Sequence, residues 1–238
     1  MTMVDKEHVK DHNVVYDLYT EVVDVQGKEQ TAVYVYEAPV RLWHWVNALC
    51  IVILCVSGYL IGSPLPAVGG EASDHFIFGY IRFAHFAAGQ VMVIGLIARV
   101  IWMFFGNHHS RQLVVLPFWS SRWWKEVFYE AGWYLFLKKE PKKYIGHNPL
   151  AQLAMFFAFF LPSVWMCVSG VALYAEGLGA SHPLFAVTEW VNAMTGGSMQ
   201  THTWHHVGMW VIIVFVMTHI YVAIREDIMS RQSLISTM

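Results

Sequence analysis

Four histidines sit where an imidazole has little reason to be. His44, His85, His205 and His219 lie inside stretches of the chain that are otherwise strongly apolar. An imidazole left unsatisfied in hydrocarbon costs several kcal/mol, so residues of this kind are functional candidates by default. The spacing of the last two is informative. Fourteen residues separate His205 from His219, which at 3.6 residues per turn returns to within about 40° of the same helix face and spans about 21 Å. One face of one helix thus carries two imidazoles, one near each end. By the same geometry His206 misses that face by about 140° and His202 by about 100°, so these two read as interfacial residues or as supports behind the ligands.

The elements that must position these histidines follow from composition. Of 238 residues, 56% are hydrophobic, 16% aromatic and only 13% charged, about half the charged fraction of a soluble domain. A spanning helix needs about 20 mostly apolar residues, and four stretches qualify. The first runs from Trp43 to Ile61 and is closed by Gly62-Ser63-Pro64; the second runs from Ile81 to Phe105, with Arg99 near its end. The third lies between Lys143 and Glu176, with Asn148-Pro149 as a cap and first-turn pair and Pro162 as a kink. The fourth runs from Thr203 to Ile224 and stops at Arg225-Glu226-Asp227. An all-α membrane protein is expected, a four-helix transmembrane bundle. Fourteen of the fifteen Lys and Arg fall on one side of it and only Arg82 on the other, which places both termini in the cytoplasm.

The expected organisation is a cytoplasmic N-terminal segment over residues 1–39, the bundle over 40–228 and a cytoplasmic tail over 229–238. Within the first segment, VVDVQGKEQTAVYVYE reads as two short alternating runs around Gly27, a small hairpin. The connection from Gly106 to His147 interleaves Trp119, Trp123, Trp124 and Trp133 with lysines and suits an amphipathic helix at the membrane interface. No internal repeat is expected. The net charge of −2 argues against a nucleic-acid partner. Cys50, Cys55 and Cys167 form neither CxxC nor CxxCH, which disfavours disulfide scaffolds, iron–sulfur ligation and covalently attached haem. The N-terminus lacks the apolar run of a secretory signal.

Chain direction pairs the four histidines by depth. The first stretch starts at the cytoplasmic side, so His44 matches His219; the second starts outside, so His85 matches His205. An imidazole pair facing across a helix bundle can ligate the iron of a b-type haem, and two stacked pairs would hold two. Gly58, Gly62, Gly89, Gly170 and Gly208 would let a macrocycle approach the backbone. Arg41, Arg82, Arg99 and Arg225 could pair with haem propionates. Two other readings stand beside this one. Each histidine could simply bond a neighbouring helix. The histidines could instead ligate a transition metal, as in a histidine-lined transporter, although the pairs lie too far apart for one centre and few thiolates or carboxylates accompany them. His8, His12, His75, His108, His109 and His182 read as solvated.

Several ordered motifs carry a resemblance. YEAPVRLWHW (Tyr36 to Trp45), GYIRFAHFAAG (Gly79 to Gly89), IGHNPLAQ (Ile145 to Gln152), TGGSM (Thr195 to Met199), WHHVGMW (Trp204 to Trp210) and REDIMS near the C-terminus closely resemble the cytochrome b subunit of membrane-bound uptake [NiFe] hydrogenases. The wider group resembled includes the cytochrome b subunits of formate dehydrogenases. Transferred residue by residue, the resemblance implies His85 with His205 for an outer haem b and His44 with His219 for an inner one. It further implies an anchor in the bacterial inner membrane, joined on the periplasmic side by a small iron–sulfur subunit and a large nickel–iron subunit. Electrons would pass through both haems to a quinone. A cytochrome b serving formate dehydrogenase or another quinone-linked donor is the alternative, with the tryptophan-bearing motifs and the TGGSM run favouring the hydrogenase type. His147 and Asn148 are expected to contact quinone oxygens, His147 relaying protons, unless Asn148 only caps its helix and His147 is only solvated. A homo-oligomer of the complex is compatible with the large apolar surface that also faces lipid.

Overall fold

A computed structural model describes residues 2–4, 20–25, 28–33, 35–66, 69–71, 75–140, 142, 144 and 146–230. His8 and His12 lie outside these residues. Near the N-terminus, β1 (Thr2–Val4), β2 (Thr20–Val25) and β3 (Lys28–Val33) form an antiparallel sheet in the order β1-β3-β2. The hairpin expected around Gly27 is the β2–β3 pair, with Val25 opposite Lys28. Runs of valine and threonine fit a pleated strand. The chain is therefore helical with a small sheet rather than wholly α.

Among the described residues six α-helical segments follow, α1 (Ala38–Gly62), α2 (Ile77–Phe105), α3 (Ser121–Tyr134), α4 (Pro149–Leu178), α5 (Phe185–Thr195) and α6 (Ser198–Ser230), with a 3-10 helix at His108–Leu113 between α2 and α3. Of these α1, α2, α4 and α6 are long and apolar enough to cross a membrane. A helix satisfies most of its backbone polar groups internally, which hydrocarbon requires. Large apolar side chains at helical spacing stay exposed, among them Leu42, Trp45, Leu49, Val52 and Val56 on α1 and Val207, Val211 and Val214 on α6.

Three differences from the sequence reading have physical causes. The α6 helix continues through Arg225-Glu226-Asp227 to Ser230. Charges end the stretch that hydrocarbon tolerates, but they do not end a helix that has passed into the interface. Pro162 acts through a π-helical turn at Phe156–Phe160 rather than a simple bend. Proline has no N–H, and its ring crowds the carbonyl four residues back, that of Ala158, so a wider turn relieves both. Finally, α5 occupies the connection before α6. Thr188 and Val191 on it are buried, and the Thr188 hydroxyl donates to the Ala172 carbonyl at 2.7 Å.

The chain divides into two compact units, one of residues 1–42, 101–156 and 217–238, the other of residues 43–100 and 157–216. The first holds the expected interfacial helix. Ser120 caps α3 by accepting from the Trp123 amide at 3.3 Å, and Leu116, Trp123 and Val127 form a buried cluster against Trp124, Leu150, Leu153 and Phe156. Trp133 donates its indole N–H to Glu226 at 3.0 Å, while Arg225 pairs with the same carboxylate at 2.7 Å. In the second unit the ring of Trp43 meets Phe159 edge-on at 6.3 Å, and the Arg99 guanidinium lies 5.5 Å from the Trp43 ring centroid.

Candidate functional site

His85 of α2 and His205 of α6 belong to the same unit, each set against a different helix. Ser57 Oγ of α1 lies 2.9 Å from His85 Nδ1, and Ser169 Oγ of α4 lies 2.7 Å from His205 Nδ1. Each hydroxyl is also within hydrogen-bond distance of a carbonyl on its own helix, Ser57 of Ile53 at 2.5 Å and Ser169 of Trp165 at 2.7 Å. A serine has one proton. Given to a carbonyl that can only accept, it leaves the hydroxyl oxygen to accept from the imidazole. Both histidines then carry their proton on Nδ1 and present the Nε2 lone pair, the form that ligates a metal. This arrangement fits the axial ligands of a b-type haem.

The glycines that follow these serines complete the surroundings. A Cβ on Gly58 would lie 3.2 Å from His85 Cε1, and one on Gly170 would lie 3.3 Å from His205 Cε1. The two sites share a sequence. Cys-Val-Ser-Gly occurs at residues 55–58 and again at 167–170, a recurrence of four residues within a chain that has no longer repeat. Four residues are too few to stand out until the two hydroxyls are seen bonding equivalent imidazoles. His202 and His206 fall away from this arrangement: His202 Nδ1 meets the Ser198 carbonyl at 3.0 Å, and His206 packs against Gly62 and edge-on to Trp210.

His44 lies in the second unit, with its ring edge-on to Trp45 at 5.1 Å, and His219 lies in the first. Of the four arginines, Arg41 sits near the start of α1, Arg82 is exposed one turn before His85, and Arg99 is buried over Trp43. Arg225 pairs with Glu226 and stacks over Trp133 and Tyr134 at 4.9 and 5.1 Å. Among the described residues no group of three or more His, Cys, Asp or Glu is placed to hold a bare metal ion, which gives the transporter reading no support.

His147 is held by a network within the first unit. The Tyr36 hydroxyl lies 3.0 Å from its Nδ1 and 3.3 Å from its Nε2, with the two rings 5.2 Å apart. The His147 amide donates to Gln112 at 3.3 Å, and its carbonyl accepts from Gln152 at 3.2 Å, whose own carbonyl oxygen accepts from the Trp123 indole. His147 is thus fixed rather than freely solvated. Burial pushes the Tyr36 phenol above its ordinary range, so it stays a neutral donor. Sequence reasoning missed Tyr36 as a site residue, although it opens the motif that contains His44.

Asn148 has a structural role. Its side chain accepts from the Ala151 amide at 2.6 Å, with Pro149 in the first turn. Replacing Asn148 with alanine should cost about 1 kcal/mol of stability, whereas aspartate should keep the cap. Thermal melts of the two variants check this; equal melting temperatures would show that the cap contributes nothing.

Comparison with known proteins places this arrangement in a family. The model of prokaryotic cytochrome b561 matches residues 35–238. The probable Ni/Fe-hydrogenase B-type cytochrome subunit of Azotobacter vinelandii is 61% identical over 211 residues, covering 89% of this chain and 88% of the relative. The protein of the same description from Rhizobium leguminosarum bv. viciae is 57% identical, covering 92% and 93%. The probable Ni/Fe-hydrogenase 1 B-type cytochrome subunit of Escherichia coli K12 is 51% identical, covering 86% and 88%. The site histidines all fall within the matched residues, and the chain belongs to the prokaryotic cytochrome b561 family.

Proposed function

We propose that this chain is the dihaem membrane anchor and electron conduit of a nickel–iron hydrogenase. His85 and His205 ligate an outer haem b, and His44 and His219 an inner one. The observation that carries the reading is the equivalent hydrogen bonding of His85 and His205 through Nδ1. A simple structural role for either histidine would give no reason for two helices to prepare two imidazoles alike. The names of the close relatives support hydrogenase as the donor.

A haem b held by these histidines would supply one-electron transfer rather than binding of exogenous ligands. The chain's own part is to hold the imidazoles in one tautomer, exclude water with its apolar helices and offer cations to the propionates. Arg82 suits the outer haem and Arg41 and Arg99 the inner one, with Arg225 already engaged by Glu226. The lysine and arginine distribution orients both termini toward the cytoplasm in a bacterial inner membrane. A small iron–sulfur subunit and a large nickel–iron subunit would then dock on the periplasmic side, with quinone as the electron acceptor near His44 and His219.

His147, held against Tyr36, is the proposed proton relay at the quinone. Two measurements test the reading. A dithionite-reduced spectrum of the purified complex should show a sharp alpha band with two haems per chain; a colourless protein overturns it. The His147→Ala variant should lose hydrogen-to-quinone turnover about 100-fold or more while dye reduction by hydrogen is kept. Equal loss of both activities, or of neither, removes His147 from the quinone site.

A further inference from the structure

Resting on the assignment of His85 and His205 as haem ligands, we propose that Ser57 and Ser169 are positioning residues for the outer haem. Each sets the tautomer, ring orientation and electron donation of one axial imidazole. Gly58 and Gly170 leave the space in which those imidazoles turn.

The serines are buried, with 5% and 0% of their surface exposed, so their hydroxyls must be satisfied by protein. The bond back to the carbonyl one turn earlier fixes each side-chain rotamer and commits the hydroxyl proton. What remains is an acceptor aimed at the imidazole N–H. An imidazole that donates to an oxygen becomes a more basic ligand through its other nitrogen, and such outer partners tune the metal. A more basic ligand favours ferric over ferrous iron and lowers the reduction potential. The hydroxyl is itself polarised by its bond to the carbonyl, which strengthens it as an acceptor.

The glycines act by volume. A methyl at either position would stand 3.2 or 3.3 Å from an imidazole carbon, closer than ordinary contact, and would press the ring away from its serine. The two cradles use the same four residues in the same order, on α1 and on α4. Cys-Val-Ser-Gly occurs nowhere else in the chain. The Ser57 hydroxyl meets His85 and carbonyls of its own helix, and the Ser169 hydroxyl meets His205 and carbonyls of its own, so their removal should act on the outer haem, with the inner haem as an internal control.

The test is a redox titration of the intact complex, followed optically and by low-temperature electron paramagnetic resonance. Ser57→Ala and Ser169→Ala should each shift the midpoint potential of one haem to more positive values and move its g values. The same haem responds in both variants, and its partner stays at wild-type values. Ser57→Thr and Ser169→Thr retain the hydroxyl and should return toward wild type. The inference is overturned if neither alanine variant moves a potential or a g value. It is also overturned if the two variants affect different haems, or if threonine causes the same change or loss of haem as alanine. His85→Ala separates this from the ligand assignment. Loss of one haem there, with silent serine variants, overturns the serine role alone; retention of both haems overturns the ligand assignment and the serine role with it.

Discussion

On the proposed ligation, His205→Ala should halve the haem content of the purified complex and stop hydrogen-dependent quinone reduction, while dye-linked hydrogen uptake persists. His205 offers Nε2 on a helix whose other proposed ligand, His219, is fourteen residues away. On that ligation, alanine would leave the iron with a single protein ligand and a cavity in place of the imidazole ring. The remaining imidazole cannot hold the porphyrin by packing alone, or it holds it in a form open to exogenous ligands, which bis-histidine coordination disfavours. The proposed second haem should survive, because its proposed ligands are His44 and His219. His206→Ala is the paired control. His206 is adjacent in sequence, yet it packs on Gly62 and Trp210, so its loss should leave haem content unchanged. Pyridine haemochrome assay and the reduced alpha band read both variants. Full haem with an unaltered spectrum in His205→Ala would remove the histidine from the ligand set.

The placement of His205 and His206 on different faces of one helix is partly legible in the sequence. The spacing of His205 and His219, the four apolar stretches and the capping pair Asn148-Pro149 all follow from periodicities that hydrocarbon and helix geometry impose. What escaped depends on side chains meeting across helices. Ser57 and Ser169 look like ordinary small residues in apolar helices until each is placed beside an imidazole 28 or 36 residues away. Tyr36 lies 111 residues from His147, and no local pattern joins them. The α5 helix escaped for another reason: at eleven residues it is too short for a membrane-span criterion, and its amphipathic face is defined only by Thr188 and Val191 packing inward. The end of α6 is not marked in the sequence, because a change in charge at Arg225-Glu226-Asp227 is not a change in backbone.

Glu130→Gln should make the protein more stable at pH 8 relative to pH 5, by up to about 3 kcal/mol against wild type. Glu130 lies on α3, outside the spanning helices, and is 1% exposed. Burial pushes its carboxyl up to about 7 from an ordinary 4.5; Glu226 and Glu126 push the same way, while the Tyr144 hydroxyl and the Lys142 ammonium oppose them. Lys142 and Tyr144 are themselves bonded to Glu126, at 2.8 and 2.9 Å, and Arg225 is paired with Glu226, so the cations nearby are already committed. The native state therefore favours the protonated acid. Because the folded value is raised above the unfolded one, this contribution is fully present below about pH 4.5. It is lost as the unfolded chain ionises first, and the loss is complete above about pH 7. Glutamine keeps the shape and the neutral charge at every pH, so it removes the decline. Melting temperatures of wild type and variant in the same detergent at pH 5 and pH 8 decide the matter. The variant should gain on the wild type at the higher pH, and an equal difference at both values would show that Glu130 titrates as an exposed carboxyl.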